Sequence, residues 1–174
     1  MNLQIRPSRD DDVAALAAIY AASVVIETAS WEYEPPSVGE FARRRSEVLA
    51  KGFPYFTAEV DGVVVGYSYA SAYRARTGYR FVVEDSVYVL HAMKGRGIGK
   101  KLLMTLTDEC ALQGYRQMIA VIGDSANIGS IKMHEACGFE HIALFKGIGY
   151  KFDGWLDSVQ MQRSLGIGAA LPPK

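Results

Sequence analysis

Between positions 94 and 101 the chain reads Lys94-Gly95-Arg96-Gly97-Ile98-Gly99-Lys100-Lys101, with three glycines at alternate positions among four basic residues. Glycine lets the backbone come close to a ligand and present its N–H groups, and a helix N-terminus behind such a loop adds partial positive charge. The loop therefore reads as an anion site of the kind that holds a pyrophosphate. A glycine turn with no ligand would carry four like charges at the cost of their mutual repulsion. A P-loop is excluded, because lysine stands at 94 where glycine is required and Lys101 stands where serine or threonine is required. A dinucleotide fingerprint starting at Gly95 fails at Lys100.

Glu84 lies in the strand that leads to this loop, flanked by Val82, Val83 and Val87. An apolar setting raises a carboxyl pKa towards the range of a general base. Strand alternation sends Asp85 to the opposite face and makes it the weaker candidate. Arg74 and Arg76 occupy the turn before the strand, and a guanidinium fork suits a carboxylate or a sulfonyl-like oxygen. Trp31, Tyr33 and Tyr73 are candidates to wall an apolar slot. Plainer readings stand beside these: a surface carboxylate, solvated arginines and core aromatics.

The elements that must position these residues follow from periodicity. Residues 3–7 read as a strand, and Ser8 with Asp11 has capping-box spacing before a helix whose face carries Val13, Leu16, Ile19, Tyr20 and Val24. Ser37 and Glu40 repeat that signal for a helix to about Lys51, and Gly52 ends it. Tyr55 to Val60 and Val63 to Ala72 flank Asp61-Gly62, a hairpin signature. Tyr79 to Leu90 reads as a long strand, and the helix behind the glycine loop carries Leu102, Leu103, Leu106, Cys110 and Leu112 before Gly114. A strand at Met118 to Ile122, a helix from about Ser130 to Gly138, and strands at Ile142 to Tyr150 and Trp155 to Gln162 joined through Asp153-Gly154 complete the order. This alternation predicts an α/β (mixed α+β) fold, with helices covering a mixed sheet. One domain is expected over residues 1–165, followed by a loose tail at 166–174.

Nineteen basic and nineteen acidic residues leave no net formal charge, so the field that steers proteins onto nucleic acid or anionic membranes is absent. The start, Met1 to Pro7, lacks the apolar core of a signal peptide, and no run reaches the length of a membrane span, which predicts a cytoplasmic protein. Cys110 and Cys137 have no metal-ligand spacing and read as buried free thiols.

The order Val87-Tyr88-Val89, then a basic glycine loop of the form (Gln/Arg)-x-x-Gly-x-(Gly/Ala), then an amphipathic helix, resembles the acetyl-CoA signature of the GNAT superfamily of N-acetyltransferases. Lys94 departs from the usual glutamine or arginine and keeps a donor. The segment Asn127 to Phe139, with Ser130, His134 and Gly138 at their spacings, resembles a second superfamily segment, Asn-x-x-(Ala/Ser)-x-x-x-Tyr…Gly-Phe. Tyr73 to Arg76, Glu84 to Val89, Ala120 to Gly123, Met133 to Ala136 and Gly154-Trp155 extend the likeness over nearly the whole chain. They are similar to the phosphinothricin and methionine sulfoximine/methionine sulfone acetyltransferases.

The resemblance implies a single GNAT-type domain, its twisted, mostly antiparallel sheet of about seven strands flanked by about four helices. Acetyl-CoA would be the cosubstrate, with Val87, Tyr88 and Val89 along its pantetheine arm, Gly95, Arg96, Gly97, Ile98, Gly99 and Lys100 at the pyrophosphate, and Asn127 further along. Glu84 would take a proton from the α-amine of a small L-amino-acid analogue, directly or through water. His134 stands where superfamily members often place a tyrosine that gives a proton to the leaving thiolate; a packing histidine is the plainer alternative. The amide of Tyr88 or Val89 would stabilise the oxyanion. Arg74, Ala75, Arg76, Glu84, Asp85, Ser86 and Trp31 would meet the substrate, and the Trp31 loop belongs to a segment that such enzymes contribute across a homodimer. Acetylation of another amine (an antibiotic, a polyamine or a protein N-terminus) and a non-catalytic acyl-CoA sensor are the competing readings.

Overall fold

The structure is a computed structural model and describes residues 2–172. Seven strands form one sheet in the order β1-β2-β3-β4-β5-β7-β6. They are β1 (Leu3–Pro7), β2 (Tyr55–Val60), β3 (Val63–Ala72), β4 (Val82–Val89), β5 (Gln117–Gly123), β6 (Glu140–Lys151) and β7 (Gly154–Ser164). Four α-helices accompany it: α1 (Val13–Ile26), α2 (Val38–Ala50), α3 (Ile98–Leu112) and α4 (Ile128–Glu135). β4 and β5 pair in parallel and every other neighbouring pair is antiparallel.

Alternation along β3 sorts the two faces. Tyr67 and Tyr69 turn towards α1 and α2, where Leu16, Ala17, Ile19, Phe41 and Tyr55 form one core cluster. Gly66, Ser68 and Ala70 turn towards α3, and their small size lets that helix sit close. A Cβ on Gly66 would lie 3.3 Å from Leu102, and Ser68 Oγ donates to the Leu102 carbonyl. Leu102, Leu103 and Leu106 are fully buried on this side, each contributing about 1.5–3 kcal/mol by removal from water. Cys110 and Cys137 are buried, free thiols.

Several boundaries differ from the sequence reading. Ser8 does not cap α1; its hydroxyl accepts from Arg45, and Asp12 accepts the Arg9 amide N–H at 2.8 Å after a 3-10 turn at Asp10–Asp12. Ser37 does cap α2, accepting from the Glu40 amide, while the Glu40 carboxylate turns away to Arg43 and Arg44. β4 begins at Val82, because Thr77–Tyr79 coil into a 3-10 turn. Leu112 is 84% exposed and contributes nothing to the apolar face of α3. Helix α4 starts at Ile128, since the Asn127 side chain caps it by accepting the Ser130 amide. The β6–β7 turn is Phe152-Asp153, both at positive φ, and Gly154 already pairs with Lys151. In the expected tail, the Gly168 amide donates to the Leu165 carbonyl; positions 173 and 174 lie outside the described residues. Among the described residues no helix is long and apolar enough to cross a membrane.

Candidate active site

The parallel pairing of β4 with β5 covers three pairs only, Val82 with Gln117, Val83 with Met118 and Glu84 with Ile119. Past Glu84 the strands part, β5 staying with β7 to Gly123 and β4 staying with β3 to Val89. Asp85 to Val89 thus expose one backbone edge to a cleft, where N–H and C=O groups are available to a ligand. Two further elements close the cleft, helix α4 with Asn127 at its N-terminus, Ser130 in its first turn and His134 in its last, and the α1–α2 connection with Ala29, Ser30 and Trp31.

Three cavities succeed one another along this cleft. The first, about 420 Å³, is lined by Val87, Tyr88, Val89, Gly95, Gly97, Ile98, Gly99, Lys100 and Asn127. Gly95 and Gly97 sit at φ of 74° and 78°, and among the described residues no atom lies within 4 Å of where their Cβ atoms would be. A backbone that only glycine adopts readily, open on that side and placed at the start of a 15-residue helix, fits a pyrophosphate. Arg96 is exposed and does not line this cavity. Lys94 is diverted, its ammonium paired with the Glu27 carboxylate at the end of α1.

The second cavity, about 310 Å³, lies in the mouth of the cleft between Glu84, Asp85, Ser86, Tyr69 and His134. The third, about 980 Å³, opens beyond it and is lined by Trp31, Tyr33, Tyr73, Arg74, Tyr79 and Glu84 among others. Glu84 and Trp31 face both of these spaces. Arg74 lies over the Tyr73 ring at 5.1 Å, whereas Arg76 and Ala75 line none of the three cavities. β3 ends at Ala72, so strand alternation does not govern these two residues; Arg76 caps the 3-10 turn at Thr77–Tyr79, its carbonyl accepting the Tyr79 amide.

Burial, and then the neighbouring Asp85 charge, push the Glu84 carboxyl up to about 7, against the opposing pull of Arg74. Asp85, facing away as alternation requires, meets His134 at 3.2 Å from Oδ2 to Nε2. His134 Nδ1 donates to the Ser130 carbonyl at 2.8 Å. Burial alone would lower the His134 pKa, but the hydrogen bond and charge of Asp85, with the Ser130 carbonyl, raise it above its ordinary value. Asp85 Oδ1 is buried with no hydrogen-bond partner among the described residues, a situation that costs about 1–3 kcal/mol.

Side chains that carried no motif hold the Trp31 wall in place. Lys151, 2% exposed, donates from Nζ to the carbonyls of Glu27 and Ser30 at 2.9 and 2.7 Å. The Tyr33 hydroxyl donates to the Tyr150 carbonyl, and Thr28 Oγ1 donates to the Gly123 carbonyl.

Residues 5–160 match the Acetyltransferase (GNAT) domain. The chain belongs to the GNAT acetyltransferases. It is 46% identical over 170 residues to a phosphinothricin N-acetyltransferase of Alcaligenes faecalis, covering 98% of this chain and 86% of that one. It is 36% identical to an L-methionine sulfoximine/L-methionine sulfone acetyltransferase of Salmonella typhimurium, covering 97% and 98%. The crystal structure of a GNAT phosphinothricin acetyltransferase from Sinorhizobium meliloti in complex with AcCoA superposes with a TM-score of 0.97 at 45% identity, covering 100% of this chain and 94% of that one. The GNAT fold and acetyl-CoA use that the resemblance implied are those of this family, and the chain is an acetyltransferase.

Proposed function

We propose that this acetyltransferase acts on the α-amine of small L-amino-acid analogues carrying a tetrahedral phosphorus or sulfur oxide, as the names of its relatives indicate for those proteins. One observation carries the reading: Glu84, with its carboxyl at about 7, stands where the central cavity meets the large one that opens beyond it. Acetyl-CoA, held by Val87 to Val89, Gly95, Gly97 to Lys100 and Asn127, supplies an activated acetyl thioester at that junction. An α-amine has a pKa near 7.7–8.0 and is mostly protonated at neutral pH, so the site needs an acceptor for its proton. Glu84 takes that proton, His134 supplies one at the opposite wall, and amides on the free edge of β4 meet developing negative charge. Arg74 receives the substrate's carboxylate or oxide, while Trp31, Tyr33 and Tyr73 exclude water from its side chain.

A cytoplasmic homodimer completes the reading. Strand β6 is a sheet edge with Ile142, Leu144, Phe145 and Ile148 exposed, and a second copy covering it would remove that apolar surface from water. Sedimentation at micromolar concentration distinguishes dimer from monomer.

The functional test is release of free thiol from acetyl-CoA with methionine sulfone, methionine sulfoximine, phosphinothricin, methionine and spermidine in parallel. The three oxides are expected to lead, and methionine to trail by roughly 5–150-fold, since the donor built for the oxide is then left unpaired. Faster turnover of spermidine than of every amino acid overturns the substrate class. Acetyl-CoA binding with no turnover of any amine moves the chain to the sensor reading.

A further inference from the structure

The contact between Asp85 on β4 and His134 on α4 defines which protons the site can move, and its role depends on the acetyl-transfer reading. The Nδ1 atom of His134 faces the Ser130 carbonyl at 2.8 Å, with the Ser130 hydroxyl more distant at 3.4 Å. Its Nε2 atom faces the Asp85 carboxylate. A carbonyl and a carboxylate accept hydrogen bonds and do not donate them, so both ring nitrogens need a proton. The ring is 4% exposed and the carboxylate-bearing residue 8%, with the Phe139 ring perpendicular to the imidazole at 5.1 Å. Both residues also line the central cavity, so the pair borders the space that the acetyl thioester would occupy.

We propose that Asp85 is a positioning residue of the transfer reaction: it holds His134 as an imidazolium with no free lone pair, so that the pair is the site's acid and Glu84 its only base. Adjacent positions on one strand thereby serve opposite tasks. Glu84 faces the cavities and accepts the proton of the attacking amine; Asp85, turned to the other face, stores a proton on His134. When the carbon–sulfur bond of the thioester breaks and its electron pair goes to sulfur, the proton between Nε2 and Oδ2 moves to that sulfur. Glu84 then returns its proton through solvent to the pair, so charge and protons balance over one turnover.

The surroundings leave this pair as the place where charge resides. Cys110 on α3 and Cys137 after α4 are the nearby thiols; burial raises both, Cys110 to about 12, so they stay neutral. Lys100 on α3 and Arg163 on β7 act on Cys137, while among the described residues Asp85 is the one charged side chain whose influence on the His134 ring is resolved.

The test is a histidine titration by NMR on the full chain with no ligand added. In the native protein His134 is expected to be protonated on both nitrogens at pH 7 and to titrate above the ordinary imidazole range. In Asp85→Asn it is expected to fall to or below the ordinary imidazole range, and in Asp85→Glu, which keeps the charge, to stay above it. With methionine sulfone the alkaline limb of kcat is expected to move down by the same interval in Asp85→Asn, with KM for acetyl-CoA within about twofold. A neutral His134 ring at pH 7 in the native protein overturns the proposal, whether or not the variants fold. An unmoved titration in Asp85→Asn, or a kcat lowered by one factor at every pH, also overturns it. Because the titration needs no substrate, failure of the amino-acid reading would appear as absent turnover and leave the NMR result standing.

Discussion

The Trp31 indole fills the space that a side chain at position 149 would need: a Cβ built on Gly149 would lie 2.1 Å from Trp31 Cζ3. Gly149 on β6 is therefore the seat of the wall that Trp31 gives to the central and outer cavities. Gly149→Ala is expected to expel the indole at a stability cost of about 1–3 kcal/mol. KM for the amino-acid acceptor should rise severalfold, while acetyl-CoA affinity stays near native because Trp31 does not line the glycine-loop cavity. Steady-state kinetics give the first quantity, and Trp31 fluorescence in a Trp155→Phe background reports the displacement. An unchanged acceptor KM together with unchanged fluorescence would place the wall elsewhere.

Removing the base should leave a pH signature. Glu84 is raised to about 7 by burial and by Asp85, so its deprotonated form is scarce below pH 6 and predominant above pH 8. The rate constant kcat/KM should climb with pH through about 7, steepened by deprotonation of the amine itself. Glu84→Gln is expected to lower kcat by about 10²–10⁴ at neutral pH and to remove that limb, with acetyl-CoA binding intact. Full activity at pH 7 in this variant would make Glu84 structural.

The two arginines should separate. Arg74 lines the outer cavity and Arg76 does not. Arg74→Ala is expected to raise KM for methionine sulfone about tenfold, the low end for an exposed charge-assisted hydrogen bond, and Arg76→Ala by less than about twofold. The opposite ranking would show that the 74–76 turn rearranges when substrate binds.

Acid stability should track a carboxylate far from the cleft. Hydrogen bonding to Arg6, opposed by burial and reinforced by the Arg9 amide and Thr57, holds Asp12 down at about 2. The folded form thus binds this proton more weakly than the unfolded chain, whose aspartates titrate near 3.9. The resulting stability is fully present above that value and is lost as pH falls from about 4 to 2. Asp12→Asn is expected to cost about 2–3 kcal/mol at pH 7 and to flatten that acid dependence, which urea midpoints measured between pH 2 and 7 would show.

Local chemistry was readable in the chain because it depends on neighbours in sequence. The glycine loop between strand and helix, the hairpin at Asp61-Gly62, the Ser37 cap and the apolar setting of Glu84 all follow from residues within a few positions of one another. Ser8 shows where that reading ends: its spacing to Asp11 had the right form, yet its hydroxyl accepts from Arg45 instead of capping the helix. Alternation gave Asp85 the correct face but could not say that His134 waits there, 49 positions away. Nor could it show that Lys94 would be drawn to Glu27, 67 positions back, or that Arg76 would miss the cavity that Arg74 reaches. Periodicity fixes the direction of a side chain relative to its own backbone, whereas the identity of what it meets depends on how strands and helices from distant parts of the chain are stacked. Only the fold, by parting β4 from β5 after Glu84 and seating α4 across the gap, decided that the Asp85 carboxylate and the Ser130 carbonyl would take the two nitrogens of one buried imidazole.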